Sequence, residues 1–267
     1  MSMGQTTTAK APEKQPPSQP AARGRTYLYA VIGDAQGRTY GDFGVDGRKV
    51  YSIPAGKVAA VVSDVPSGTL RPERSRLAAH QEVLKKLMAE ATPLPMSFGI
   101  LADSPQAVRN MLSRNQHALR EQLRRVAGKV EMGLRVTWDV PNIFEYFVNT
   151  HPELRLARDR LLGGQREPTQ EQKIEVGRLF ERLLNEDREA YADKVEAILA
   201  PHCFEIEPNK CRNEGEALNL ACLVERAAMP QFESSVFEAA KQFDNNFAFD
   251  YNGPWAPHNF VEVDLEL

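Results

Sequence analysis

Phe247-Ala-Phe-Asp-Tyr-Asn-Gly-Pro-Trp-Ala-Pro-His-Asn-Phe260 is the stretch that closes the fold. Its first five residues alternate, with Phe247, Phe249 and Tyr251 on one face and Ala248 and Asp250 on the other, the period of a half-buried strand. Asn252-Gly253-Pro254 then predicts a turn that ends the strand, because glycine takes positive φ at little cost and proline removes a ladder donor. Trp255, Pro257, His258 and Phe260 follow. Five aromatics in these fourteen residues would be costly on a free tail. The segment is therefore expected to dock, either into the protein's own core or onto a partner.

Reading back from that strand, Phe232, Val236, Ala240 and Phe243 mark a helix with one apolar stripe. Ala217 to Glu225 alternates, with Leu218, Leu220, Cys222 and Val224 inward, and Cys203 to Glu207 alternates before it. Residues 141–200 read as helix, interrupted at His151-Pro152 and at Gly163-Gly164. Val130 to Trp138 alternates as a strand. From Val130 onward the order is β-α-β-β-α-β, which predicts a ferredoxin-like fold whose first crossover carries an inserted helical hairpin.

The preceding half starts with a strand at Tyr27 to Ile32. A glycine-containing loop over 33–47 and strands at Lys49 to Ile53 and Val58 to Ser63 come next. The unbroken apolar run Val58 to Val62 suits a central strand. A helix over 74–91 buries Leu77, Leu84, Leu87, Met88 and Ala91, and Thr92-Pro93 stops it. After a short extended piece at Phe98 to Leu101, Ser104-Pro105 opens one further helix, with serine as cap and proline at the first position. Its stripe runs from Val108 to Val126. Strands come first and helices after. The fold class is thus α+β in two α+β domains, residues 26–128 and 129–267. Residues 1–25, with four prolines and little to bury, are expected to be a disordered tail.

The bulk numbers narrow the function. Of 267 residues, 42% are hydrophobic and 26% charged, and the net charge is −3, so a strongly basic nucleic-acid binder is not indicated. Residues 70–128 hold ten bases against five acids, whereas residues 201–267 hold twelve acids against four bases. This asymmetry reads either as solvated helix faces or as a polarised surface that orients a partner or a second copy. Three cysteines, an odd number, and no apolar signal core fit reduced thiols in the cytosol. No apolar run approaches the ~20 residues that cross a bilayer, so no lipid membrane is expected as a partner.

Chemistry-bearing motifs are missing. There is no phosphate loop, no dinucleotide fingerprint, no His-Glu-x-x-His and no nucleophile elbow. His202, Cys203, Cys211 and Cys222 lack the paired close spacing of a zinc site and read as small buried hydrophobes. Glu205/Glu207 and Glu214/Glu216 lack the loop context of a calcium site. His80 lies on the apolar side of its helix. No catalytic, cofactor or metal residue is expected, and the chain is not expected to be an enzyme.

Three separated motifs nevertheless carry a resemblance. Asp250-Tyr-Asn-Gly-Pro-Trp-Ala-Pro-His-Asn-Phe260 resembles the C-terminal signature of the gas vesicle protein F/L family (GvpF/GvpL). Pro93-Leu-Pro-Met-Ser-Phe-Gly-Ile100 is similar to that family's P-x-R-F-G segment, with Met96-Ser97 where an arginine is usual. Lys129-Val-Glu-Met-Gly-Leu-Arg-Val-Thr-Trp138 agrees as well. With Tyr27-Leu-Tyr-Ala-Val31, the likeness runs from about residue 26 to the end.

The resemblance implies an accessory, minor component of prokaryotic gas vesicles that supports nucleation and formation of the vesicle wall. It implies contact with the small hydrophobic shell subunit and with other gas vesicle accessory proteins. It places the protein at the gas vesicle, with a cytoplasmic pool. Self-association is a further expectation, from the opposed charges of the two halves. The expected contact surface is Phe249, Tyr251, Trp255 and Phe260, with Pro93 and Phe98 second. The alternative is a ferredoxin-like module that binds a small regulatory molecule, an analogy from fold alone.

Overall fold

The computed structural model describes residues 24–34, 36–68, 70–163 and 167–262. The tail expected over 1–25 lies outside them, save Gly24 and Arg25, and Arg25 already belongs to the first strand.

The first half builds an antiparallel sheet from β1 (Arg25–Ile32), β2 (Thr39–Gly41), β3 (Val50–Ala55) and β4 (Val58–Val65). Three helical or extended pieces follow: α1 (Arg74–Glu90), then the two-residue strands β5 (Leu94–Pro95) and β6 (Leu101–Ala102). The order is β2-β3-β4-β1-β5, with β6 also on β1, so the apolar run of β4 is central as expected. Helix α1 covers one face. On the other face lie α2 (Pro105–Arg114) and α3 (Gln116–Val126), so β1 and β4 are buried on both sides.

Three expectations need correction here. The glycine-containing loop over 33–47 includes β2, which pairs Thr39 with Tyr51 and Gly41 with Val50. The single helix expected from Ser104 to Val126 breaks at Asn115, which leaves helical geometry (φ −98°, ψ 13°). Its side-chain amide donates to the Met111 carbonyl at 2.8 Å and so competes with the helix ladder. In α1 the buried stripe is His80, Val83, Leu84, Leu87 and Met88, and Leu77 is 40% exposed. His80, expected on the apolar side of this helix, is 2% exposed and takes its place in that stripe.

The second half contains β7 (Lys129–Trp138), α4 (Ile143–Thr150), α5 (Pro152–Leu162) and α6 (Gln170–Leu199). It ends with β8 (Glu205–Pro208), β9 (Glu216–Glu225), α7 (Met229–Ala240) and β10 (Phe247–Trp255). The interruptions at 151–152 and 163 fall as the sequence predicts, and Thr169 with Gln172 forms a capping box that starts α6. The sheet order is β10-β7-β9-β8, every neighbouring pair antiparallel. Helices α4, α6 and α7 cover one face, where Val130, Leu134, Val136, Leu218, Leu220 and Phe232 pack together.

Strand β9 departs from simple alternation. Leu218, Leu220, Cys222 and Val224 face the helices, yet Ala221 and Leu223 on the opposite face are also buried. They pack with Phe260 against α2, α3 and the first sheet. The two halves therefore share a core. Ionic contacts cross the same junction: Arg125 of α3 pairs with Glu205 of β8 and donates to the Phe260 carbonyl at 2.9 Å. Part of the opposed charge of residues 70–128 and 201–267 is thus neutralised within the chain.

Candidate partner-binding site

A groove of about 610 Å³ runs between α1 and the end of β10. Ala78, Lys85 and Ala89 form the helix wall, and Pro254, Trp255 and Ala256 form the other. Small alanines leave the helix flank open, and Leu84 and Met88 give it an apolar floor. Arg226 closes the base, donating to the Met88 carbonyl at 2.8 Å and tying the C-terminal end of α1 to the second half.

The second wall stands where the sequence predicts a turn. The expected break at Asn252-Gly253-Pro254 is not a break: β10 continues, and Trp255 pairs with Glu131 after a register irregularity. Gly253 absorbs that irregularity at φ +133°. A Cβ there would stand 2.7 Å from Met132 Sδ and 3.0 Å from the Glu131 carbonyl, so the position takes only glycine without rearrangement.

Trp255 is 42% exposed, and its orientation is fixed. The indole N–H donates to Asn252 Oδ1 at 2.7 Å. The Asn252 side chain in turn lies over Gly133, where a Cβ would meet Asn252 Oδ1 at 2.9 Å. Beyond Trp255 the chain is latched down. Buried Glu131 accepts the Asn259 backbone N–H at 2.8 Å and its side-chain amide at 2.7 Å. Burial holds the Glu131 carboxyl above the usual carboxylate range, although the Asn259 donors pull it back.

The six residues expected to form one surface do not. Trp255 lines the groove. Phe249 and Tyr251 are half-buried on the helical face of the sheet, Phe249 against Phe243 at 5.1 Å and Tyr251 donating its O–H to Glu233. Phe260 is 2% exposed, a core residue between the halves rather than a contact residue, because the latch at Asn259 turns it inward. Pro93 is likewise buried. Phe98 is half-buried in an aromatic cluster, 5.8 Å from Tyr27 and 5.9 Å from His80.

His80 is the centre of that cluster. Its Nε2 faces the Met96 carbonyl at 3.1 Å, which can only accept, so Nε2 carries the proton. Nδ1 then accepts from the Tyr27 hydroxyl at 2.7 Å. The arrangement is that of a neutral imidazole. Burial, and next the nearby His258, lower its pKa to about 4. Cys222, on β9, is pushed well up by its hydrogen bond with Cys203 and by burial.

The model of gas vesicle synthesis protein GvpL/GvpF matches residues 25–262. The chain belongs to this family. Gas vesicle protein F of Streptomyces sp. (strain CB03234) is 28% identical over 242 residues, covering 89% of this chain and 99% of the relative. Gas vesicle protein L of the same strain is 25% identical over 267 residues, covering 89% and 92%. Among solved structures, that of gas vesicle protein GvpF from Anabaena sp. PCC7120 covers 90% of this chain and 99% of its own, with a TM-score of 0.76 at 24% identity. The likeness to that structure carries the mixed α and antiparallel β fold.

As a GvpL/GvpF chain, this protein has a role connected with the gas vesicle. Among the described residues no helix is long and apolar enough to cross a membrane. Four positions at the groove escaped sequence reasoning. Gly133 and Asn252 fix Trp255, and Glu131 and Asn259 fix the segment after it. Glu131 was visible as a carboxylate inside an apolar alternating strand, and that is the signal that could have found it.

Proposed function

We propose that this chain acts in gas vesicle assembly by holding an apolar segment of the small shell subunit in the groove between α1 and Trp255. The observation that carries the reading is an exposed indole, fixed in direction by Asn252, standing over a groove with an apolar floor. A free shell subunit with a large apolar face would aggregate before it assembles. A rigid groove can hold such a face and release it, since binding then costs little ordering of the protein itself. Trp255 is the contact residue of this reading, and Phe249 and Tyr251 brace β10 behind it.

The same reading makes the protein a minor, non-enzymatic component that supports nucleation and growth of the wall. Its further partners are other gas vesicle accessory proteins and, through the acidic surface of the second half, a second copy. It resides at the gas vesicle with a cytoplasmic pool. We also take residues 26–128 and 129–267 as the two domains. The antiparallel order β10-β7-β9-β8 with α7 in the second crossover supports a ferredoxin-like second domain with α4 and α5 inserted in the first.

Co-expression with the shell protein followed by pulldown tests the reading. Trp255→Ala should lower recovery of the shell protein about tenfold or more, with an unchanged melting temperature. Undiminished recovery would reject the groove. Phe260 is unsuitable for this purpose, since its loss opens the core.

A further inference from the structure

Trp255 also borders a second hollow, of about 460 Å³, on the sheet face opposite the helices. Arg135 of β7 and its β9 neighbour Asn219 form the floor. Asn252 and Trp255 form one wall, and Lys210 and Arg212, from the loop between β8 and β9, form the other. The floor is low because Gly133 brings no side chain, and Asn252 lies over it.

The charge here runs against its surroundings. Residues 201–267 carry twelve acids and four bases, yet two of the four bases face this hollow, beside Arg135. Among the described residues neither Lys210 nor Arg212 has an ion-pair partner. The acids nearby are already committed. Glu131 has both oxygens on Asn259. Glu216, almost fully buried, faces Arg135 Nε at 3.4 Å and accepts the Arg212 backbone N–H at 2.7 Å. Glu216 thus sets the position of the loop without filling the hollow. The result is a small-molecule-sized site with two unpaired cations, Lys210 and Arg212, beside the Glu216-paired Arg135, with the Asn219 amide on the floor and one aromatic wall.

We propose that this hollow binds a phosphorylated ligand carrying an aromatic ring, of the mononucleotide class, with Lys210, Arg212 and Arg135 on the phosphates and the Trp255 indole stacked on the ring. Arginine matches phosphate oxygens in its planar fork, and lysine adds a point charge. The indole needs no reorientation to stack, because Asn252 already holds it. The Asn219 amide lies on the floor to bond the polar edge of the ring or sugar. This inference shares Trp255 with the shell-subunit reading but rests on a separate hollow and on Lys210 and Arg212, which do not line the groove.

The test is isothermal calorimetry and tryptophan fluorescence on the full chain, titrated with ADP, adenosine and inorganic phosphate. The protein has two tryptophans, and Trp138 is buried, so quenching reports on Trp255. ADP should bind saturably and quench, with adenosine and phosphate each about tenfold weaker or more. Lys210→Ala with Arg212→Ala should weaken ADP about tenfold or more without moving the melting temperature. Trp255→Phe should abolish the quench and keep calorimetric binding within a few-fold. No saturable heat from ADP up to about 1 mM would overturn the proposal. So would phosphate binding as tightly as ADP, an undisturbed double variant, or an acidic peptide that binds there when nucleotides do not.

Discussion

Asn252 accepts the indole N–H of Trp255 at 2.7 Å while its own side chain rests over Gly133. A glycine on one strand thereby sets the direction of a tryptophan on the next. Gly133→Ala should displace Asn252, since the new methyl would stand 2.9 Å from its oxygen. Asn252→Ala should free the indole directly. Both variants should lower the fluorescence anisotropy of Trp255, and Asn252→Ala should cost no more than about 1 kcal/mol of stability because the bond is exposed. Unchanged anisotropy in Asn252→Ala would show that packing alone holds the ring.

Phe260 and Trp255 lie five residues apart but answer different questions. Phe260 is buried between the halves, whereas Trp255 is 42% exposed. Phe260→Ala should cost about 3–5 kcal/mol in urea unfolding. Trp255→Ala should cost far less. Equal losses would mean that the tryptophan is part of the core.

The His80 cluster makes stability depend on pH. Its folded pKa of about 4 lies below the ordinary value of 6.5, so the unfolded chain binds the proton more readily. The stability from neutral His80 is fully present above pH 6.5 and is lost as pH falls toward 4. Between pH 7 and pH 5 the loss should be about 2 kcal/mol. His80→Gln keeps a donor and an acceptor without titrating, so its unfolding free energy should vary less over that interval. Parallel curves for the two proteins would contradict the assignment.

Glu131 should act as the latch for residues 256–261. Glu131→Ala leaves the two Asn259 donors without their partner, at a cost of about 1–3 kcal/mol. Amide exchange at Asn259 should accelerate more than exchange in the centre of β9. Uniform acceleration would indicate global rather than local loosening.

Much of the fold was legible because each half-buried strand shows its period. The β7, β9 and β10 alternations and the helix interruptions at His151-Pro152 and Gly163 all rest on local rules. What local rules miss is a residue serving two surfaces. Ala221 and Leu223 of β9 sit on the face expected to be open, and they are buried because the other half of the chain packs there. At the groove, Trp255 was legible as a large aromatic fixed between prolines. Phe260, expected at a contact surface, lies in the core, because it packs with Ala221, Leu223 and residues of the first half that are far away in sequence. The continued pairing through Gly253 was hidden because a register irregularity erases the period of two.

The most direct measurement is the affinity of purified Trp255→Ala for the shell subunit, compared with wild type and with an exposed control such as Leu156→Ala. The account predicts a loss of about tenfold or more for Trp255→Ala and none for the control, at equal melting temperatures. Equal affinity for all three proteins would contradict it.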